Sequence, residues 1–404
     1  VSHMSSALQQ TTDFLSSLVS IPSTSGQETQ AIDWLVEQFS RFDVEIEKIP
    51  LSDALKSDPD YSSPIPDIAY DGRYNLRIVR KGRDHSKALA FNAHVDVVPP
   101  SEGMDDPYSG RVEDGILYGR GACDTKGPLS TIFCLLTLLE EQKTDPDCDL
   151  IFHFVVEEEN GGNGSLAMVR HGEKADGCIV LEPTEEKILT SVRGAVWFNI
   201  EFTGIAGHSG QAGRTRSALL MAHEAITCLT NYHCDLLAAS KGIDLFDAYD
   251  NPMPITFGRL TAGNWPAAAP NRAVLEGVLG LLPNKTKEDI CREMEEALVS
   301  TGMNPNDFKL TFTYRHDCSV TDPNGSLPQG LRECTQAVGI DSKIDAMTAS
   351  CDAWLYNNLL DIPTVVFGPG SLSVAHSKNE HIRLQEIEQA AQAVFKLVVN
   401  GKGI

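Results

Sequence analysis

Between residues 75 and 181 short apolar runs alternate with helix-length stretches. Residues 75–79 and 88–92 are such runs, and the second leads straight into His94. A buried helix is expected over 128–141, with Pro128 in the first turn, where its missing N–H breaks no helical bond. The run 150–156, a helix near 165–171 and the run 178–181 continue the rhythm. Parallel strands need crossover connections and helices supply them, so this alternation favours an α/β layer. Two helical patterns lie within 7–41, with Leu15, Leu18 and Val19, then Ile32, Leu35, Val36 and Phe39, on apolar faces. Residues 51–72, rich in Pro and Asp, read as a long loop of the kind that often serves function.

The pattern changes near Ser191. Residues 192–203 alternate as a half-exposed strand, 214–231 form a helix, and 254–262 and 273–282 are two more strands. A helix at 286–300 and a strand at 308–314 complete a ferredoxin-like order. After it, a helix at 325–337, a strand at 362–367 and a helix at 384–399 return to the first pattern. The expected architecture is an α/β catalytic domain, residues 5–190 and 315–404, with a mixed, largely parallel sheet flanked by helices. An inserted ferredoxin-like α+β domain, residues 191–314, interrupts it as a lid or dimerisation unit. No internal repeat or low-complexity tract is present.

At 404 residues the chain is long enough for two such domains. Its net charge of −23 repels phosphate backbones, which argues against nucleic acid as a partner. No apolar run approaches the ~18 to 20 residues of a membrane span. The ten cysteines contain no Cys-x-x-Cys pair and read as reduced thiols, hence a cytoplasmic location. Val1-Ser2-His3-Met4 reads as a cloning remnant with no signal peptide after it, so His3 takes no part in a site.

Five segments place acidic or imidazole side chains at the ends of apolar strands, where open α/β sheets bind ligands. They are Asn92-Ala93-His94-Val95-Asp96, the run from Gly121 to Gly127 with Asp124, Glu157-Glu158-Glu159-Asn160-Gly161-Gly162, Leu181-Glu182-Pro183-Thr184, and Ala375-His376-Ser377-Lys378-Asn379-Glu380. Singly each has a plain structural reading: a His–Asp core pair, a solvated glutamate run, a structural histidine. Together they form a ligand set. Two imidazoles and three carboxylates suffice for two zinc ions if one carboxylate bridges, and a fourth carboxylate is then free to handle protons. Asp96, two residues beyond His94, suits the fixing of the imidazole tautomer.

In "HVDVVP", "GRGACDTKGP", "EEENGG", "LEPT" and "AHSKNE" the chain resembles the dinuclear zinc hydrolases that include acetylornithine deacetylase, succinyl-diaminopimelate desuccinylase, aminoacylases and glutamate carboxypeptidases. The likeness covers essentially the whole chain. It implies His94 and Glu182 on one zinc, Glu159 and His376 on the other, Asp124 as the bridge and Glu158 as the general base. Cobalt or manganese would substitute for zinc. Glu157 stands where the family pattern has Asp. The segment Ala206-Gly207-His208-Ser209 resembles the family motif whose histidine reaches a partner subunit's site and stabilises the oxyanion, which implies a homodimer with contacts through 192–202 and 217–229. Gly370, in Gly368-Pro369-Gly370, resembles the loop where backbone approaches substrate. The desuccinylase clamp is missing, since its Asn and Arg positions are Ala267 and Gly280. Arg193, Asn264 and Arg272 are the alternative carboxylate contacts. The activity implied is hydrolysis of a small N-acyl amino acid, acetylornithine-like, with a dipeptidase or carboxypeptidase as the alternative.

Overall fold

The computed structural model describes residues 5–211 and 213–403; the reading of Val1 to Met4 lies outside them. Strand Cys148–Val155 is buried at every position, as a strand covered on both faces must be. It pairs parallel with Asp84–His94, which pairs parallel with Gly177–Val180, and that strand in turn with Thr364–Val366. These four strands form the centre of a nine-stranded sheet. Outside them the pairing changes direction. Glu45–Pro50 and Tyr74–Arg80 join one side antiparallel. On the other side Ile188–Val192 lies antiparallel to Thr364–Val366 and is flanked by Ser319–Val320 and Ile344–Met347. The sheet is therefore mixed, with parallel order confined mainly to the strands that helical crossovers connect.

Helices Ser6–Val19, Lys126–Glu141 and Leu384–Val399 pack on one face. Phe14 stacks on Phe133 there, with ring centroids 4.1 Å apart. The other face is covered by helix Asn163–His171 and the buried segment around Trp354 and Tyr356.

A second sheet has the order Ile255–Ala262, Arg272–Leu281, Gly194–Thr203, Phe308–His316, antiparallel throughout. This is the ferredoxin-like order. Val196, Phe198, Ile200 and Phe202 face helices Ala218–Ala239 and Lys287–Ser300, forming a separate apolar core with Leu229, Ile290 and Met294. The first helix starts later than its pattern suggested because Ser217 caps it, accepting from Leu220 N, and it runs on to Ala239. The chain passes between the sheets at Arg193, between Ile188–Val192 and Gly194–Thr203.

One expected contact changes. Strand Gly194–Thr203 is paired on both sides, so its backbone is closed to another subunit. The loop 51–72 covers one outer strand, since Ser63 N donates to Thr313 O at 2.6 Å. Ile255–Ala262 is left as the open edge. The loop is also tied down by charge: Asp60 accepts from Arg170 at 2.8 Å and from Lys287 at 2.5 Å, one residue from each part of the molecule.

Candidate metal centre

The parallel strands end on the same side, and their C-terminal ends bring the site together. His94 closes its strand, the glutamate run follows Cys148–Val155, and Glu182 follows Gly177–Val180. Asp124 and His376 arrive on loops. Asp124 lies between the two imidazoles, with Oδ1 3.0 Å from His94 Nε2 and Oδ2 3.1 Å from His376 Nε2. Glu159 Oε1 is 2.9 Å from His376 Nε2. Glu182 Oε1 and Glu158 Oε2 stand 3.8 and 4.0 Å from His94 Nε2. All five expected ligands and Glu158 thus share one centre.

Each glutamate of the run has a different neighbour. Glu157, fully buried with φ +62°, turns away from the centre to pair with Arg73 at 2.6 Å and accept from Tyr70 at 2.7 Å. Glu159 faces His376. The Glu158 side chain makes no hydrogen bond among the described residues and faces His94 and Glu182. The turn is fixed by Asp96, whose carboxylate oxygens accept from Glu158 N and Glu159 N at 3.1 Å each. Asp96 also stands beside His94, with its Oδ1 3.5 Å from Nδ1. Its backbone carbonyl, 2.8 Å away, takes the His94 Nδ1 hydrogen, while its carboxylate is engaged by the glutamate turn.

With Nδ1 donating to that carbonyl, Nε2 is the His94 nitrogen that faces the carboxylates, and on losing its proton it completes a donor set suited to a borderline dication. Protonation points the same way. Burial, reinforced by neighbouring carboxylates, pushes Glu158 and Glu182 well above the usual range and Glu159 up to about 7. Divalent cations in this space would reverse that pressure. The residues present fit a metal site: potential ligand atoms of His94, Asp124 and Glu159 lie within 4.8 Å of one another, as do those of His94, Glu158 and Glu182.

Two positions were missed in the sequence. Glu380, from the His376 segment, accepts from the amides of Gly121 (3.0 Å), Cys123 (3.1 Å) and Asp124 (3.0 Å), and pairs with buried Arg120. It shapes the loop that presents Asp124. Asp352 is fully buried and accepts from Ser165 Oγ at 2.5 Å, while its Oδ1 has no partner among the described residues. Glu380 closes a motif rich in polar residues, a usable signal; nothing local distinguishes Asp352.

The remaining candidates divide. Gly370 has φ +88°, and a Cβ there would sit 2.8 Å from Cys123 Sγ, so only glycine fits this turn beside Asp124. Arg193 is held by the carbonyls of Thr348 and Gly194 and has no carboxylate partner among the described residues. Its guanidinium fills the space over Gly280, where a Cβ would lie 2.4 Å from Nη1. Arg272 and Asn264 lie away from the centre of their own chain. Arg272 pairs with Glu201 at 2.9 Å, at the end of its strand opposite Gly280. Eight residues at ~3.3 Å each put the two roughly 26 Å apart. Asn264 is exposed in the preceding loop. Neither reaches the centre of its own chain. His208 is exposed on the two-residue strand Gly207–His208, which pairs with Ala268–Ala269. Its Nδ1 accepts from Gly210 N at 3.0 Å, and no hydrogen bond joins it to the centre among the described residues.

The sequence profile of peptidase family M20/M25/M40 matches residues 90–400. The chain belongs to that family. It is 25% identical over 399 residues to a probable carboxypeptidase of Emericella nidulans, covering 94% of this chain and 87% of the relative. The fold is similar to a metallo-carboxypeptidase of family M20 from Sulfolobus solfataricus, with TM-score 0.76 and 17% identity over 98% of this chain and 99% of that one. It is also similar to a dinuclear metal-binding M20 peptidase of Bacillus subtilis, with TM-score 0.68 and 16% identity over 98% of each chain. Among the described residues no helix is long and apolar enough to cross a membrane, and all ten cysteines are free.

Proposed function

We propose that this M20 hydrolase cleaves the amide bond of a small N-acyl amino acid whose leaving amino acid carries a free carboxylate. The observation that carries this is the placement of Asp124 between His94 and His376, with the uncommitted carboxylate of Glu158 beside them. Two zinc ions held by His94, Glu182, Asp124, Glu159 and His376 would supply Lewis acidity to the amide carbonyl and lower the pKa of water. Glu158 then takes the proton of the attacking water and delivers it to the leaving nitrogen. Asp96 and the Arg73–Glu157 pair keep its turn in place. Arg193 would anchor the leaving amino acid's carboxylate, since a guanidinium binds carboxylate through two parallel bonds.

His208 is read as the oxyanion donor of a partner subunit. The open edge Ile255–Ala262, with Leu220 and Trp265 each 68% exposed nearby, supports pairing of two chains there. Free thiols throughout support a reducing, cytoplasmic setting. A carboxypeptidase or dipeptidase reading shares every residue above, and the carboxypeptidase names among the relatives favour it. Zinc-loaded protein assayed on N-acetyl amino acids and dipeptides tests both. Turnover of neither class would overturn the proposal.

A further inference from the structure

The four-stranded sheet carries helices on one face only. Its other face holds a groove of about 490 Å³ lined by Trp197, Asn199, Thr256 and Val278, with the paired Arg259 and Glu276 at its outer end. This volume lies within the range of small-molecule sites. Trp197 is 38% exposed, yet its ring is held flat by stacking on Tyr314, with centroids 5.0 Å apart and planes 16° apart. Gly258, at a bulge between Phe257 and Arg259, puts no side chain on the floor.

The inner end of the groove neighbours Arg193 on one side and a hydrogen-bonded chain to the glutamate turn on the other. Trp197 is paired with Val278, and two residues inward Ala195 is paired with Gly280, the residue that Arg193 covers. Two residues span roughly 7 Å. The groove therefore begins within one side-chain length of a half-buried guanidinium that lacks a carboxylate partner among the described residues. On the other side, Tyr314 donates to His316 Nδ1 at 2.8 Å, and His316 Nε2 donates to Gly161 O at 2.8 Å, on the turn that carries Glu158.

We propose that this groove receives the side chain of the carboxylate-bearing amino acid released by cleavage, so that the enzyme selects large apolar or aromatic residues at that position. The inference rests on the reading of Arg193 as the carboxylate anchor. An indole face, a valine and a threonine methyl offer apolar contact. The two charged groups present neutralise one another, so neither invites a charged side chain.

The test compares kcat/KM for N-acetylphenylalanine and N-acetylglycine in metal-loaded wild type, Trp197→Ala and Val278→Phe, alongside calorimetric binding of free L-tryptophan and glycine. Val278→Phe fills the groove while keeping the Trp197–Tyr314 stack. Wild type should favour the phenylalanine derivative, and each variant should shrink that preference by tens to hundreds of fold. Tryptophan should bind more tightly than glycine to wild type alone. A wild type without preference, or a preference that survives both variants, overturns the groove. If no amide is hydrolysed but tryptophan binding is selective and lost in Trp197→Ala, the groove stands and the reaction reading falls.

Discussion

Arg73 and Glu157 meet at 2.6 Å as a buried ion pair directly behind the turn that carries Glu158. Arg73 also holds Glu28 at 2.8 Å, so one guanidinium serves two buried carboxylates. Burial pushes Glu28 up to about 7 despite that partner. The pair explains why the first residue of the run differs from the other two: it is an anchor, and its length lets it reach Arg73.

Arg73→Ala should leave Glu157 buried and unpaired, destabilising the fold by about 3–5 kcal/mol. Urea denaturation measures this. A loss under about 1 kcal/mol would mean that the pair is not the anchor of the turn.

Glu158→Gln should keep metal content while lowering turnover by ~10² to 10⁴. Glu159→Gln should instead weaken one metal, and Asp124→Ala should weaken both. Metal analysis beside turnover separates these roles. Metal loss in Glu158→Gln would show that the base and the ligand have been exchanged.

His316 is buried and its pKa is pushed down to about 3, chiefly by burial. The unfolded chain, with a value near 6.5, takes up the proton first as pH falls. The contribution of neutral His316 is therefore fully present above pH 6.5 and lost progressively toward pH 3. Urea midpoints across that window should fall less steeply in His316→Gln than in wild type. Parallel curves would contradict this.

Mixing His208→Ala chains with Glu158→Gln chains should restore activity, because one site of the mixed dimer then carries neither defect. Leu260→Glu, on the open edge, should weaken assembly, read by light scattering. Absence of recovery despite proven subunit exchange would return His208 to its own chain's site.

The five acidic and imidazole segments that meet at one centre, and the ferredoxin-like order, were legible because both are local signals. Strand and helix periods are set by neighbouring residues, and strand ends are where open sheets present ligands. The pairing of segments far apart in sequence was not encoded in any one of them. Loop 51–72 lies on Phe308–His316 and thereby leaves Ile255–Ala262 as the open edge. Arg73, 84 residues from Glu157, decides which glutamate turns away from the centre. Arg272 looks like a clamp in the sequence, yet its strand carries it to the end of the sheet opposite Gly280, while Arg193 lies at the passage between the two sheets. Sequence periodicity fixes which face a residue occupies within its own element. Long-range pairing and burial decide which elements that face meets, and these belong to the folded chain alone.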